Sequence, residues 1–393
     1  MCIDDYISSI EAYRLIASYN GFNFLDQLNS NKVANIRYEN TEHDSQIVVK
    51  ENIAYVVYAS NIVTGDNASS PTSKVILTKF NIDDFAGTRV DLEVAKSGSN
   101  QQTGGAGQPN IIADEIDADL LHIIYTCNSN NGYTIFTCDY SVSNGTCSNY
   151  REVVVSNKDG ETGNLRTGDI NRLFNKKFSG DDTTYHSQQC NSTIAYSSGY
   201  YYIGMVVHEN YLQDKNLAVI FKTQDFTNWD YFADYESFNE PCVCELAIGV
   251  DSNGNIYSAS RPINIYGQNM GQYGASYGTI AKWDANGVLK DRRYYRNCGT
   301  RPSFFNYNSD LYLISNTWYR SICDIIKVNT EQLCASQLLA QFKKGAFCYT
   351  SFALYGDYVI VSSSAALIEV SKITWPVSIS ENDAYTKLKT IIM

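Results

Sequence analysis

The chain has 393 residues, a formal net charge of −12, 44% hydrophobic residues and 18% charged residues. That is too much apolar surface and too little charge for a disordered chain, and the length fits two or three domains or one large β architecture. With no block of Lys or Arg to offset the acidity, a broad phosphate-tracking surface is excluded, and nucleic acid with it as a partner.

The 31 Tyr, 13% aromatics and only 6 Pro, set among many Asn, Ser, Thr and Gly, favour strands and tight turns over helices. An all-β fold is expected. Tyrosine also joins a flat apolar face to a hydrogen-bonding tip, which suits either a sheet face or a surface that holds a polar ligand such as a sugar. The eleven cysteines contain only the CxC spacing Cys242-Val243-Cys244, with no second pair at zinc-ligand spacing, so neither metal nor other cofactor is expected. Those two thiols read more simply as one face of a strand. Met1-Cys2-Ile3-Asp4-Asp5-Tyr6 lacks a basic region followed by an apolar run, and no stretch reaches transmembrane length. The expectation is a protein with no membrane partner, made in the cytoplasm or carried on a virion if phage-encoded, with reduced thiols.

Along the chain, Ile7, Ile10, Tyr13, Ile16 and Ala17 recur at helical spacing and predict an amphipathic helix near residues 4–18. It belongs to an N-terminal appendage, 1–36, suited to docking on a virion or on a second copy. From about residue 40, short apolar runs alternate with Asn, Gly, Ser and Asp, and a longer phrase recurs: a polar or Pro-containing start, an apolar strand, a turn, and a second strand. Its copies run Asp44–Val49 before Ile53–Val57, Gln108–Ile112 before Leu120–Tyr125, and Asn191–Ala195 before Tyr200–Gly204. Three more run Glu240–Cys244 before Gly254–Ser258, Arg301–Phe305 before Leu311–Ile314, and Tyr349–Ala353 before Tyr358–Val361. Spaced by roughly 50–80 residues, each has room for four strands, the unit of a β-propeller blade. The expected fold is a six-bladed β-propeller of four-stranded blades over 37–378, followed by a tail, 379–393; a pair of β-sandwiches is the alternative.

A propeller brings the starts of its innermost strands to a central channel. Asp44 or Ser45, Gln108, Asn191, Glu240, Arg301 and Tyr349 should therefore meet there. A Glu, an Arg and a Tyr together in such a channel suggest a bound ligand, since burying them without partners is costly.

These residues resemble the sialidase superfamily of six-bladed propellers with Asp-box (BNR) repeats. Phe221-Lys222-Thr223-Gln224-Asp225-Phe226-Thr227-Asn228-Trp229 resembles a shortened Asp-box. Glu240 with Arg261-Pro262, then Gly299-Thr300-Arg301-Pro302, then Cys348-Tyr349-Thr350 follow the family's order for a glutamate, two carboxylate-binding arginines and a nucleophilic tyrosine. The resemblance implies that Glu240 accepts the proton of Tyr349, since a phenol of pKa about 10 is a weak nucleophile alone. It implies that Arg261 and Arg301 grip the carboxylate of an acidic sugar, with Asp66 as leaving-group acid; Gln108 and Asp44, from the channel set, are expected as further sugar contacts. The family's first arginine is replaced by His43-Asp44-Ser45-Gln46-Ile47, and Arg37 upstream is its substitute. The function expected is glycan binding in a central pocket with a degenerate active site, as in a bacteriophage tail adhesin. An active retaining exo-glycosidase and a uronan lyase using His43 are the alternatives. His122, on an apolar strand, reads as a core histidine.

Overall fold

The computed structural model describes residues 30–39, 42–60, 72–95, 102–129, 131–184, 186–190, 192–209, 215–235, 243–262, 277–296, 300–316, 322–343, 348–356, 358–364 and 368–374. After β1 (Ser30–Ile36), the strands β2 (Glu42–Lys50), β3 (Ile53–Ser60), β4 (Lys74–Asn81) and β5 (Val90–Ala95) form a first antiparallel sheet in chain order, with the short helix α1 (Phe85–Thr88) before its last strand. β6 (Gln102–Ala113), β7 (Leu120–Ser129), β8 (Gly132–Ser141) and β9 (Thr146–Glu152) form the second. The third is built from β10 (Val154–Ser156), β11 (Thr162–Asn164), β12 (Ser187–Gln189), β13 (Ala195–Ser197), β14 (Tyr200–His208), β15 (Asn216–Thr223) and β16 (Asn228–Asp234), with α2 (Thr167–Phe174) inserted. The fourth holds β17 (Val243–Val250), β18 (Ile256–Pro262), β19 (Tyr277–Trp283) and β20 (Leu289–Arg296). The fifth holds β21 (Thr300–Tyr307), β22 (Asp310–Asn316), β23 (Ile322–Asn329) and β24 (Cys334–Lys343). β25 (Cys348–Tyr355), β26 (Tyr358–Ser364) and β27 (Ile368–Thr374) complete a last sheet whose outer strand is β1, so that the two ends of the described chain lie in one sheet.

The middle strands are apolar on both faces because each sheet is covered by its neighbours: every residue of β3 after Ile53 is buried, as are nearly all of β7, β8 and β14. Outer strands such as β9 revert to partial exposure. Tyr55, Val57 and Leu77 of the first sheet pack on Ile123, Tyr125 and Phe136 of the second. Ala247, Tyr257 and Ile280 of the fourth pack on Phe304, Leu313 and Ile326 of the fifth. Ile36, Ile360 and Val370 of the last sheet pack on Val56, Tyr58 and Ile76 of the first. The sheets touch closely enough to require glycine at two contacts. A Cβ on Gly204 of β14 would lie 2.3 Å from the carbonyl oxygen of Leu246, and one on Gly249 of β17 would lie 2.6 Å from the Phe304 ring.

The fold is all-β and propeller-like, but the expectation of a regular six-bladed propeller of four-stranded blades is corrected. The third sheet has seven strands, one of them, β10, paired parallel to β16. The cause is a stretch of chain longer than one blade needs: residues 153–190 add the β10–β11 hairpin and α2, which buries Thr167, Ile170 and Leu173. The described helices are α1 and α2, so neither is N-terminal, and the helix expected at 4–18 lies outside the described residues. β1 lies within the segment read as the appendage and pairs with β27 along its length.

The Asp-box-like phrase forms the β15–β16 turn. The Thr223 hydroxyl accepts from the Phe226 amide (3.0 Å), Asp225 accepts from the amides of Thr227 and Asn228 (2.8 Å each), and the indole of buried Trp229 donates to the Phe226 carbonyl (3.2 Å). Three other described turns are held in a different way. Asn157, Asp251 and Asp284 each cap a different turn, accepting from the amides two and four residues on, with Gly160, Gly254 and Gly287 at φ +82°, +80° and +77°. The β15–β16 turn is held to the second sheet by a buried polar chain. His122 bridges Asp139 (Nδ1, 2.9 Å) and Asp114 (Nε2, 2.8 Å) and stacks on Phe226 at 4.1 Å, while Arg151 grips Asp139 through both Nη atoms at 3.0 Å and donates to the Asp225 carbonyl.

Burial alone would raise the Asp139 carboxyl, but hydrogen bonds from His122, Arg151 and Asn149 outweigh it and hold it well below the usual carboxylate range; Asp114 is lowered in the same way. Their contribution to stability is therefore complete above the ordinary carboxylate pKa of about 4 and lost as pH falls through and below it. Asp139→Asn should cost about 2–4 kcal/mol at neutral pH and flatten the acid limb of the melting-temperature profile; a profile parallel to wild type would contradict this. Gly204→Ala should cost about 1–3 kcal/mol by overpacking, read as a lower midpoint in urea.

Candidate functional site

The innermost strands share a local irregularity. Register shifts interrupt pairing near the starts of β2 (His43/Gln46), β17 (Val243/Glu245), β21 (Thr300/Ser303) and β25 (Cys348/Ser351), and in the middle of β6 (Gly107/Asn110). A bulge leaves a residue out of the ladder and re-aims its side chain. In three of these strands a non-glycine residue takes positive φ at the shift: Asp44 (57°), Gln108 (48°) and Arg301 (26°), all buried. Backbone strain of this kind persists only where the surroundings over-determine it.

For Asp44 and Arg301 the surroundings are each other. Arg301 Nη2 donates to Asp44 Oδ1 at 2.8 Å and Nη1 to the Ser45 carbonyl at 2.9 Å, joining β21 to β2 across 257 residues of sequence. The Arg301 backbone amide donates to Glu245 Oε2, and the other oxygen of Glu245 accepts from Arg261 Nη1 at 3.0 Å. Two guanidiniums and two carboxylates from β2, β17, β18 and β21 thus form one charge-balanced network. Side-chain exposure is 0% for Arg301 and 1% for both Asp44 and Glu245. It rises to 13% for Arg261 and 16% for His43, whose Nδ1 lies 3.6 Å from Asp44. The floor is sealed and the rim can be reached.

Around it, small polar groups tie one sheet to the next. The Ile47 amide donates to Ser351 Oγ (3.1 Å), the Phe304 amide to Thr193 Oγ1 (2.8 Å), the Ile248 amide to the Thr193 carbonyl (2.9 Å), and Asn110 Nδ2 to the carbonyls of Cys190 (2.7 Å) and Ser192 (2.6 Å). Burial pushes the Cys190 thiol up to about 12, against the opposing charge of Arg301. Burial, with Arg261 and His186 nearby, pushes His208 down to about 4, so it is uncharged at neutral pH.

Of the residues expected to converge, Asp44, Ser45 and Arg301 do meet, and Arg261 joins them through Glu245. Gln108 is buried in the middle of β6, at its second register shift. Arg37 is exposed beyond β1, its carbonyl accepting from Arg89. Glu240, Asp66 and Asn191 lie outside the described residues; Tyr349 lies in β25, its side chain likewise outside. Sequence reasoning missed Glu245. The signal was present: it is the lone charge in an otherwise apolar strand, which demands a buried partner. Among the described residues, no group of three or more His, Cys, Asp or Glu is placed to hold a metal, and no helix is long and apolar enough to cross a membrane.

No family model and no curated protein matches the chain. Solved structures do match in fold. A protein of unknown function from Dyadobacter fermentans superposes with TM-score 0.62 at 9% identity, covering 88% of this chain and 99% of that one. An alpha-L-arabinofuranosidase from Fusarium graminearum follows at TM-score 0.56 and 9% identity, covering 88% and 98%. Trypanosoma rangeli sialidase gives TM-score 0.53 and 11% identity, covering 93% of this chain but 61% of the sialidase. Likeness at such identity is likeness of fold. The expected membership of the sialidase superfamily is therefore corrected: the likeness extends to a different glycosidase, and six equal four-stranded blades are not what the described residues form.

Glu245→Ala should cost about 3–5 kcal/mol, because it strips Arg261 of its counter-charge and the Arg301 amide of its acceptor, whereas Arg37→Ala should leave the melting temperature unchanged. Equal effects in calorimetry would contradict the placement of the network.

Proposed function

We propose that the chain is a glycan-binding protein whose site is the rim formed by Arg261 and His43 above the sealed Asp44–Arg301–Glu245 floor. The observation that carries this reading is the graded burial of one polar network at the bulged strand starts. Strained, buried, charge-paired residues fix the geometry, and partly exposed polar side chains are held rigidly above them. Rigid polar groups lose little freedom on binding, which is what recognition of a heavily hydrated sugar needs. The fold is shared with solved glycosidases, and that supports the reading at the level of architecture. Tyr349, at the start of the neighbouring β25, is the first further residue to test at the rim. The adhesin context expected for the chain concerns an N-terminal segment of which residues 1–29 lie outside the described residues, and the site reading stands without it.

A glycan array probed with wild type and with Arg261→Gln tests it. Specific binding by wild type that weakens at least about tenfold in the variant, with unchanged circular dichroism, is expected; a tenfold change corresponds to about 1.4 kcal/mol, the size of one good polar contact. Absence of binding by folded wild type would remove the reading. Release of chromophore from an aryl glycoside, abolished by Tyr349→Phe, would replace it with a glycosidase.

A further inference from the structure

We propose that Cys138 and Cys147 form an oxidisable thiol pair, a modification site independent of the glycan reading: a hydroperoxide oxidises Cys147, and Cys138 resolves the product as a disulfide joining β8 to β9. Both are free thiols in the structure. Antiparallel pairing sets Cys147 opposite Tyr140, and Cys138, two residues before Tyr140 in β8, lies on the same face, the one that packs on the first sheet. The two cysteines are therefore diagonal neighbours. Two residues of β9, Asn149 and Tyr150, stand opposite Cys138 alone, since Thr137 pairs with Arg151 and Asp139 with Ser148. A bulge of this kind tightens the local twist, and across it the Cys138 thiol donates to the sulfur of Cys147, which accepts from the Tyr150 hydroxyl as well.

The surroundings divide the roles. Cys147 is half-buried in the outermost strand of the second sheet, within reach of a small oxidant, whereas Cys138 is fully buried. Its two donors hold the Cys147 thiol below the usual range, while burial pushes Cys138 up, so Cys147 is the attacking thiolate. It attacks the terminal oxygen of the hydroperoxide, the O–O bond breaks, and the departing oxygen takes a proton as alcohol or water, leaving a sulfenic acid. Cys138 then gives up its proton and attacks the sulfenic sulfur. The S–O bond breaks, an S–S bond forms, and hydroxide leaves with that proton as water. The two thiols lose two electrons and the peroxide gains them. Diagonal neighbours stand about 7–8 Å apart, and a disulfide needs Cα atoms closer than about 7 Å, so the strands must close by about 1–2 Å. As an outer strand whose bulge already sets Asn149 at φ +52°, β9 is the element that can give.

The test is peptide mapping of the full chain, reduced, freed of reductant, exposed to hydrogen peroxide, quenched and alkylated. Chymotrypsin cuts after Tyr140, between the two cysteines, so a bridge appears as two joined peptides in mass spectrometry. In wild type the Cys138–Cys147 bridge should be the main oxidised form of both residues and should be reversed by dithiothreitol. In Cys138→Ala, which lacks the resolving thiol, dimedone should trap the Cys147 sulfenic acid at least about tenfold more than in wild type. In Cys147→Ala, Cys138 should remain a free thiol. Cys147 recovered from folded wild type as a thiol, as an unresolved acid, or bridged to another cysteine would overturn the inference, and so would oxidation of Cys138 in a folded Cys147→Ala protein.

Discussion

The buried ion pair between Asp44 and Arg301 is the interaction on which the centre of this molecule depends. It joins the first sheet to the fifth, and both partners take left-handed backbone conformations unusual for their residue types. An arginine with no solvent exposure stays charged, so burying it is costly without a counter-charge and filled donors. Asp44 and the Ser45 carbonyl supply both, and Glu245 repeats the solution for the Arg301 amide and for Arg261. A buried pair of this kind contributes little net stability compared with apolar side chains of the same volume, yet losing either partner is severe. Its effect is to specify which strand starts meet and at what depth.

The rest of the architecture permits that meeting. Sheets whose two faces are both apolar stack against their neighbours; Gly204 lets the β17 backbone come close and Gly249 makes room for the Phe304 side chain. Hydrogen bonds of Thr193, Ser351 and Asn110 then tie segments of different sheets to one another. Farther out, the His122–Asp139–Arg151 chain performs the same joining between the second and third sheets, with the β15–β16 turn as its anchor.

Much of this was legible in the sequence. Four of the recurring phrases fall on antiparallel pairs of adjacent strands, and the described parts of the other two, from Ala195 and from Val243, overlap such pairs, because short apolar runs broken by Asn and Gly turns are local signals. The convergence of Asp44 with Arg301 followed from placing those phrases in one architecture. The extra strands of the third sheet were less legible, since β10 and β11 are three residues each and their pairing to β16 is set by tertiary contact. Partner choice was the least legible feature. Arg301 is expected from the sequence to face a ligand carboxylate, but the groups that hold it are Asp44 and the Ser45 carbonyl across the molecule and, at its backbone amide, Glu245. A bulge one residue long decides which side chain points inward, and composition does not reveal it.

A double-mutant cycle on Asp44→Asn and Arg301→Met, followed by urea unfolding, tests the central claim most directly. The account predicts that each single replacement costs about 3–5 kcal/mol and that the double replacement costs much less than their sum, a coupling of about 1–3 kcal/mol. Additive losses, or singles within about 0.5 kcal/mol of wild type, would show that the two charges do not depend on each other.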